Sequence, residues 1–166
     1  MLKLFYHLTD MNFGKLMSVY EEGNRENARE FYGQLDPNIG LLQTEQDFFA
    51  YLKDVFFSTE NACYAVWEED GSYISALRLE PYEDGILLAA LETSPQHRGK
   101  GYAKKLISGV LAGLRVPVYS HVHKGNESSL AAHLACGFMR VGEQARYLDG
   151  TVVKHSCTLC RKPVCL

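Results

Sequence analysis

The residues best suited to chemistry lie together at Ser94-Pro95-Gln96-His97-Arg98-Gly99-Lys100-Gly101-Tyr102-Ala103. An apolar run, Ile86-Leu87-Leu88-Ala89-Ala90-Leu91, precedes them, and Leu106, Ile107, Val110, Leu111 and Leu114 follow at helical spacing. The order reads as strand, glycine turn and helix. The first turn of a helix has backbone N–H groups without intrahelical partners, and the helix dipole places partial positive charge there, so the turn can hold phosphate oxygens. Gly99 and Gly101 let the backbone come close to such a ligand, while Arg98, Lys100, Lys104 and Lys105 surround it with full charges. A glycine pair alone also fits an ordinary strand-to-helix turn. The context here predicts a bound pyrophosphate.

Other residues are capable of different chemistry. Cys157-x-x-Cys160 with Cys165 and His155 offers zinc ligand types. Residues three apart on a strand point to opposite faces, so no metal is expected. The five cysteines are odd in number and lack framework spacing, which predicts reduced thiols.

The elements that must position these residues fit one domain over 1–166, since 166 residues at 46% hydrophobic composition can close a core without staples. A net charge of −3 predicts no nucleic-acid partner and no membrane partner. The amino terminus lacks a secretory apolar core and no run is long enough to span a bilayer, so a cytoplasmic protein is expected.

Leu2 to Leu8 reads as a first strand, and Thr9-Asp10 as the cap of a helix carrying Phe13, Leu16, Met17 and Tyr20. Asp36-Pro37-Asn38-Ile39-Gly40 reads as a loop, with Thr44-x-x-Asp47 capping a second helix. Two strands, about 62–68 and 73–80, join at Asp70-Gly71, and a second hairpin turns at Glu83-Asp84-Gly85. The nearly unbroken apolar run at 86–93 predicts a central strand buried on both faces. Beyond the 102–114 helix come a strand at 116–122 and a helix at 126–136 with Leu130, Ala131, Leu134 and Ala135 inward. Gly137 stops that helix with Phe138 packing back, and two closing strands follow.

Gln96-x-x-Gly99-x-Gly101, the overlapping Arg98-x-x-Gly101-x-Ala103, and Asn126 followed eleven and twelve residues later by Gly137-Phe138 together resemble the GNAT superfamily of N-acetyltransferases, from Leu2 to Cys160. The resemblance implies an α/β (α+β) fold with a mixed, mostly antiparallel sheet of about seven strands, flanked by helices, whose fourth and fifth strands splay apart. It also implies acetyl-CoA as acyl donor. Backbone groups of Leu91, Glu92 and Thr93 would meet its pantetheine arm. Amides of Arg98, Gly99, Lys100, Gly101, Tyr102 and Ala103 would hold the pyrophosphate, and Asn126 would be a helix cap, alone or with a cofactor contact besides.

The family's tyrosine, seven residues after this asparagine, is His133 here. Tyrosine titrates near 10 and histidine near 6.5, so a neutral imidazole has less to offer a leaving thiolate unless a neighbour keeps it charged. His133 on the exposed side of its helix is the competing expectation. For the general base the candidates are His121, in the position of a glutamate that some members use, and Glu92 at the end of the fourth strand. Glu21, Glu22, Glu26, Glu30 and Asp36 outnumber Arg25 and Arg29 around Tyr20, Phe31 and Tyr32, which suggests a cationic amine or merely a solvated face.

The reaction expected is direct transfer of acetyl to the amine of a small molecule or peptide, with backbone N–H near Thr93 stabilising the oxyanion, in a monomer or homodimer. A non-catalytic acyl-CoA sensing module is the alternative.

Overall fold

The computed structural model describes residues 1–163, so Cys165 lies outside the described residues. Its centre is a seven-stranded mixed sheet in the order β1-β2-β3-β4-β5-β9-β6. The strands are β1 (Leu2–Phe5), β2 (Cys63–Glu69), β3 (Ser72–Tyr82), β4 (Gly85–Thr93), β5 (Val118–His123), β6 (Met139–Gly142) and β9 (Ser156–Arg161), and β7 (Ala145–Arg146) pairs with β8 (Val152–Val153) in a small separate hairpin. The helices are α1 (Phe13–Val19), α2 (Glu21–Phe31), α3 (Pro37–Tyr51), α4 (Tyr102–Gly113) and α5 (Glu127–Ala135).

All pairings in the sheet are antiparallel except β4 with β5, which run parallel. That pair needs a crossover, and α4 supplies it. The β2–β3 hairpin turns through two residues, Asp70 (φ 49°) and Gly71 (φ 74°), whose left-handed backbone matches the twist of the strands.

Strand alternation builds two cores. Ala65, Leu77, Leu88, Val118, Val122 and Leu159 face Leu106, Ile107, Val110 and Leu111 of α4. Tyr64, Val66 and Ala76 face Leu16, Val19, Leu52 and Phe56 on the other side. A π-helical turn, Leu52–Phe56, prolongs α3 and drives Leu52 and Phe56 into that second core.

The chain departs from expectation at the start of α3. Asp36 is the N-cap, accepting from the amides of Asn38 (2.9 Å) and Ile39 (3.4 Å), and Pro37 occupies the first turn. Thr44 is mid-helix and donates to the Gly40 carbonyl at 3.0 Å. Gly40 is there for close packing: a Cβ would lie 3.3 Å from the Cβ of Tyr32, the residue that caps the end of α2.

At the end of α5 the expected stop forms. Gly137 takes φ 84°, its amide donates to Leu134 O (3.0 Å), and Phe138 N donates to His133 O (3.2 Å). Phe138 is buried. Cys157 packs with the α4 core while Cys160 sits opposite Tyr119, so the two thiols face apart, and no group of metal ligands forms among the described residues. No helix of the described residues is long and apolar enough to cross a membrane.

Candidate active site

β4 pairs with β3 along its length but with β5 only at Ile86–Val118, Leu87–Tyr119 and Leu88–Ser120. Past Leu88, β5 continues along β9 and β4 continues along β3, so the two strands part. A bulge marks the place: Arg78 faces Ala89 and Ala76 faces Glu92, which leaves Ala90 and Leu91 opposite the single residue Leu77. Ala90 has φ 51°, a left-handed backbone that is strained for an L-residue. It is held from outside the sheet, since Tyr20 Oη donates to the Ala90 carbonyl at 2.6 Å and accepts from Tyr64 Oη at 2.8 Å.

The wedge between the strands opens into a cleft of roughly 440 Å³. Of the residues expected there, Leu91, Glu92, Thr93, Arg98, Gly99, Gly101, Tyr102, Ala103 and Asn126 line it. Gly99 (φ 75°) and Gly101 (φ 80°) have no atom within 4 Å of an added Cβ, so backbone conformation, and not local crowding by the protein, favours glycine. Gly101 caps α4 without a side-chain bond, and the first helical bond runs from Lys105 N to Gly101 O at 3.0 Å. The amides of Tyr102, Ala103 and Lys104 are therefore free of intrahelical acceptors. Asn126 Oδ1 caps α5 by accepting from Ser129 N at 3.1 Å, while the residue also forms cleft wall.

Several charged groups here are engaged. Arg98 donates from Nε to the Thr93 carbonyl (3.2 Å) and from Nη2 to Glu92 (3.0 Å), and its Nη1 pairs with Glu22 of α2. Burial lowers its pKa, and the two carboxylates more than reverse this. Glu92 Oε1 also accepts from the Thr93 amide at 3.2 Å, so the expected oxyanion donor already has a partner. Tyr102 Oη donates to Glu69 at 2.6 Å, and that carboxylate raises its pKa. Lys100 is not on the wall, and its Nζ donates to Gln96 O at 3.1 Å. His97, Lys104, Ser128, Ser129 and Ala132 complete the lining. The α5 serines carry no motif signal; both bond to the Asn126 Oδ1 cap, which is the one local feature that ties them to the cleft.

The two histidines lie elsewhere. His133 is 1% exposed, neither on the cleft wall nor on an exposed face, and packs edge-on against Phe138 at 5.1 Å. Its Nδ1 donates to Ser129 O at 2.7 Å and its Nε2 has no partner. Burial lowers its pKa, partly offset by the Ser129 carbonyl, so the ring is neutral at pH 7. The structure does not place His133 on the cleft wall, where a contact with the cofactor sulfur was expected: the ring fills core behind Ser129. The inward face of α5 carries Leu130, Ala132, His133 and Cys136, whereas Ala131, Leu134 and Ala135 are exposed. His121 packs against Tyr147 (4.8 Å) and Tyr82 (5.4 Å), with Nδ1 3.1 Å from Thr158 Oγ1. Burial lowers its pKa, partly offset by the backbone of Arg146. It lines neither this cleft nor the cavity described next.

A second cavity, roughly 720 Å³, lies between α2, α3 and the sheet, with Tyr20, Phe31, Tyr32, Phe48, Asp47, Arg78 and Ala90 among its walls. The expected aromatic residues are present. The acidic ones are not: Glu21 pairs with Arg25 at 3.0 Å and Glu22 with Arg98. Ala90 borders this cavity and its neighbour Leu91 borders the cleft, so the bulge of β4 is the partition between them.

Solved structures share this fold. The PaiA N-acetyltransferase from Thermoplasma acidophilum, in complex with coenzyme A, superposes with a TM-score of 0.65 at 12% identity, covering 98% of this chain and 99% of that one. The ribosomal-protein-S18-alanine N-acetyltransferase from Escherichia coli gives a TM-score of 0.61 at 12% identity over 100% and 96%. Among sequences, N-acetyltransferase 8B of Mus musculus is 29% identical over 106 residues, 56% of this chain and 46% of the relative. The chain thus spans under half the length of that relative. The acetyltransferase (GNAT) family pattern matches residues 24–138, more than half of the sequence, and the chain belongs to that family.

Proposed function

We propose that the chain is an acyl-CoA-dependent N-acyltransferase, moving acetyl from acetyl-CoA to the amine of a small molecule or peptide by direct attack in a ternary complex. The observation that carries this reading is the pair of hollows meeting at the β4 bulge. In this reading the cleft takes the donor and the second cavity the acceptor. The free amides at the start of α4, with Arg98 and Lys104 on the wall and Lys100 and Lys105 nearby, suit a diphosphate. The strand-free gap beside Leu91, Glu92 and Thr93 suits an extended amide-bearing arm, since unpaired strand edges present donors and acceptors to it.

In this reading the amine nitrogen bonds to the thioester carbonyl carbon, the C–S bond breaks, and the electron pair leaves on sulfur. The ammonium first gives one proton to the base and on to solvent; the neutral amine then loses a second as the amide forms, and that one matches the proton gained by the thiol, so the reaction balances without a metal or a covalent enzyme intermediate. Among the described residues Glu92 is the one carboxylate on the cleft wall, and it is assigned the base role. His133 is assigned support of the Ser129 wall, and His121 support of the β7–β8 side.

The burial of His133 favours the sensing module as a second reading, because no acid then replaces the family's tyrosine. Calorimetry with acetyl-CoA, combined with thiol release in the presence of polyamines, amino acids, aminoglycosides and peptides, separates the two. Binding with amine-dependent thiol release supports the enzyme, binding without release supports the sensor, and no binding removes both.

A further inference from the structure

Arg78 lies on β3 between Leu77 and Leu79, both of which face the α4 core. Alternation turns it to the opposite face, where it forms wall of the second cavity beside Ala90. Its guanidinium carbon sits 5.0 Å from the Tyr51 ring and 5.7 Å from the Phe56 ring. Among the described residues no ion pair includes it, and its buried Nε has no hydrogen-bond partner. Arginine does not escape such a position by losing its proton. The other formal charge on this wall, Asp47, is already served: Tyr32 Oη donates to one oxygen and Gln43 Nε2 to the other at 3.1 Å. Tyr20, Phe31 and Phe48 make much of the remaining wall aromatic. The cavity thus holds a positive charge that rests on aromatic rings and pairs with no carboxylate among the described residues, next to the strand that separates it from the cleft.

We propose that Arg78 binds the carboxylate of the acceptor, which is an amino acid with an apolar side chain. The inference rests on the acyltransferase reading and narrows its acceptor. A guanidinium fork donates two parallel N–H···O bonds to a carboxylate, and the aromatic walls receive the side chain. The carboxylate is unchanged in the reaction; the ammonium gives one proton to solvent, the neutral nitrogen bonds to the acetyl carbon as the C–S bond breaks, and its second proton accompanies the departing sulfur.

The test uses the full chain with acetyl-CoA and three probes: phenylalanine, phenylalanine amide and phenethylamine. Thiol release should favour phenylalanine over both analogues by about 10-fold to 100-fold in kcat/KM, the range that charged hydrogen bonds carry. Arg78→Met should bring this preference close to about 1, and Arg78→Lys, which keeps the charge but loses the fork, to an intermediate value. Thermal unfolding checks that the variants fold, and the wild-type ranking decides the matter if they do not. Equal rates on acid, amide and amine overturn the proposal. So does a preference that survives in folded Arg78→Met, or acetyl-CoA binding with no release to phenylalanine. Failure to bind acetyl-CoA at all is a different result, which refutes the acyltransferase reading beneath it.

Discussion

Replacing Gly101 by alanine separates the two demands placed on that residue. Gly101 holds φ 80° and ψ 12° as the cap of α4, and an added Cβ meets no protein atom within 4 Å. The penalty in the unliganded protein is therefore backbone strain alone, roughly 1–2 kcal/mol for an L-residue in this region. In a domain of this size that corresponds to a fall of about 2–8 °C in Tm. Gly71 is the matched control: φ 74°, nothing within 4 Å, and a place in the β2–β3 turn that is not part of the cleft wall. Gly71→Ala should lose comparable stability. Only Gly101→Ala puts a methyl group where the phosphates are to lie, so its acetyl-CoA affinity should fall at least about 10-fold, or about 1.4 kcal/mol, below that of Gly71→Ala. Calorimetry measures the affinities and circular dichroism the unfolding. Equal strain with affinities within about 2-fold of each other would falsify the assignment of this turn to the diphosphate.

Glu22→Gln frees Arg98 from one of its two carboxylates; both partners of that pair are about half exposed, so the gain in acetyl-CoA affinity should be small, about 2-fold to 5-fold by calorimetry, and a weaker complex would contradict it. Tyr20→Phe leaves the Ala90 carbonyl without its 2.6 Å donor; it should cost about 1–3 kcal/mol and speed amide exchange around residues 89–92, whereas unchanged exchange would show that the bulge holds without it. His133→Leu should lower Tm yet leave kcat within about 3-fold of the parent, and a collapse of kcat at unchanged fold would return the ring to the chemistry. The same variant tests a pH effect. Burial holds the folded-state pKa of His133 and His121 below the ordinary value near 6.5, so on acidification the unfolded chain takes up protons first. Stability is full above about pH 6.5 and declines as pH falls toward the folded pKa values. Urea unfolding between about pH 5 and 7 should show a shallower decline in His133→Leu, and an identical slope would refute the coupling.

Features that are local in sequence were legible. The apolar β4 run, the glycine turn and the Asn126 cap all depend on a few adjacent residues, as does the Gly137-Phe138 stop. The start of α3 was misread because Asp36-Pro37 suits a turn as well as a cap and first helical residue, and Gly40 suggests a loop until Tyr32 is seen packed on it. The face of α5 was hidden for another reason. A nine-residue helix with three alanines has no decisive apolar stripe, and the Ser129 carbonyl and Phe138 ring decide that His133 turns inward. Arg78 carried no signal either. Its significance depends on α2 and α3, distant in sequence, enclosing the sheet face to which alternation assigns it.

The parallel pairing of β4 with β5, limited to Ile86 through Leu88, makes the sheet behave as two leaves bound along a short spine. Swinging the leaves breaks no rung at the free margin, because none exists there, and the resistance comes from α4 and α5 bracing both sides. An extended guest lying in the gutter would tie leaf to leaf. Stiffening on ligation should then reach β9 and β6, which lie on the far leaf and border neither hollow along most of their length.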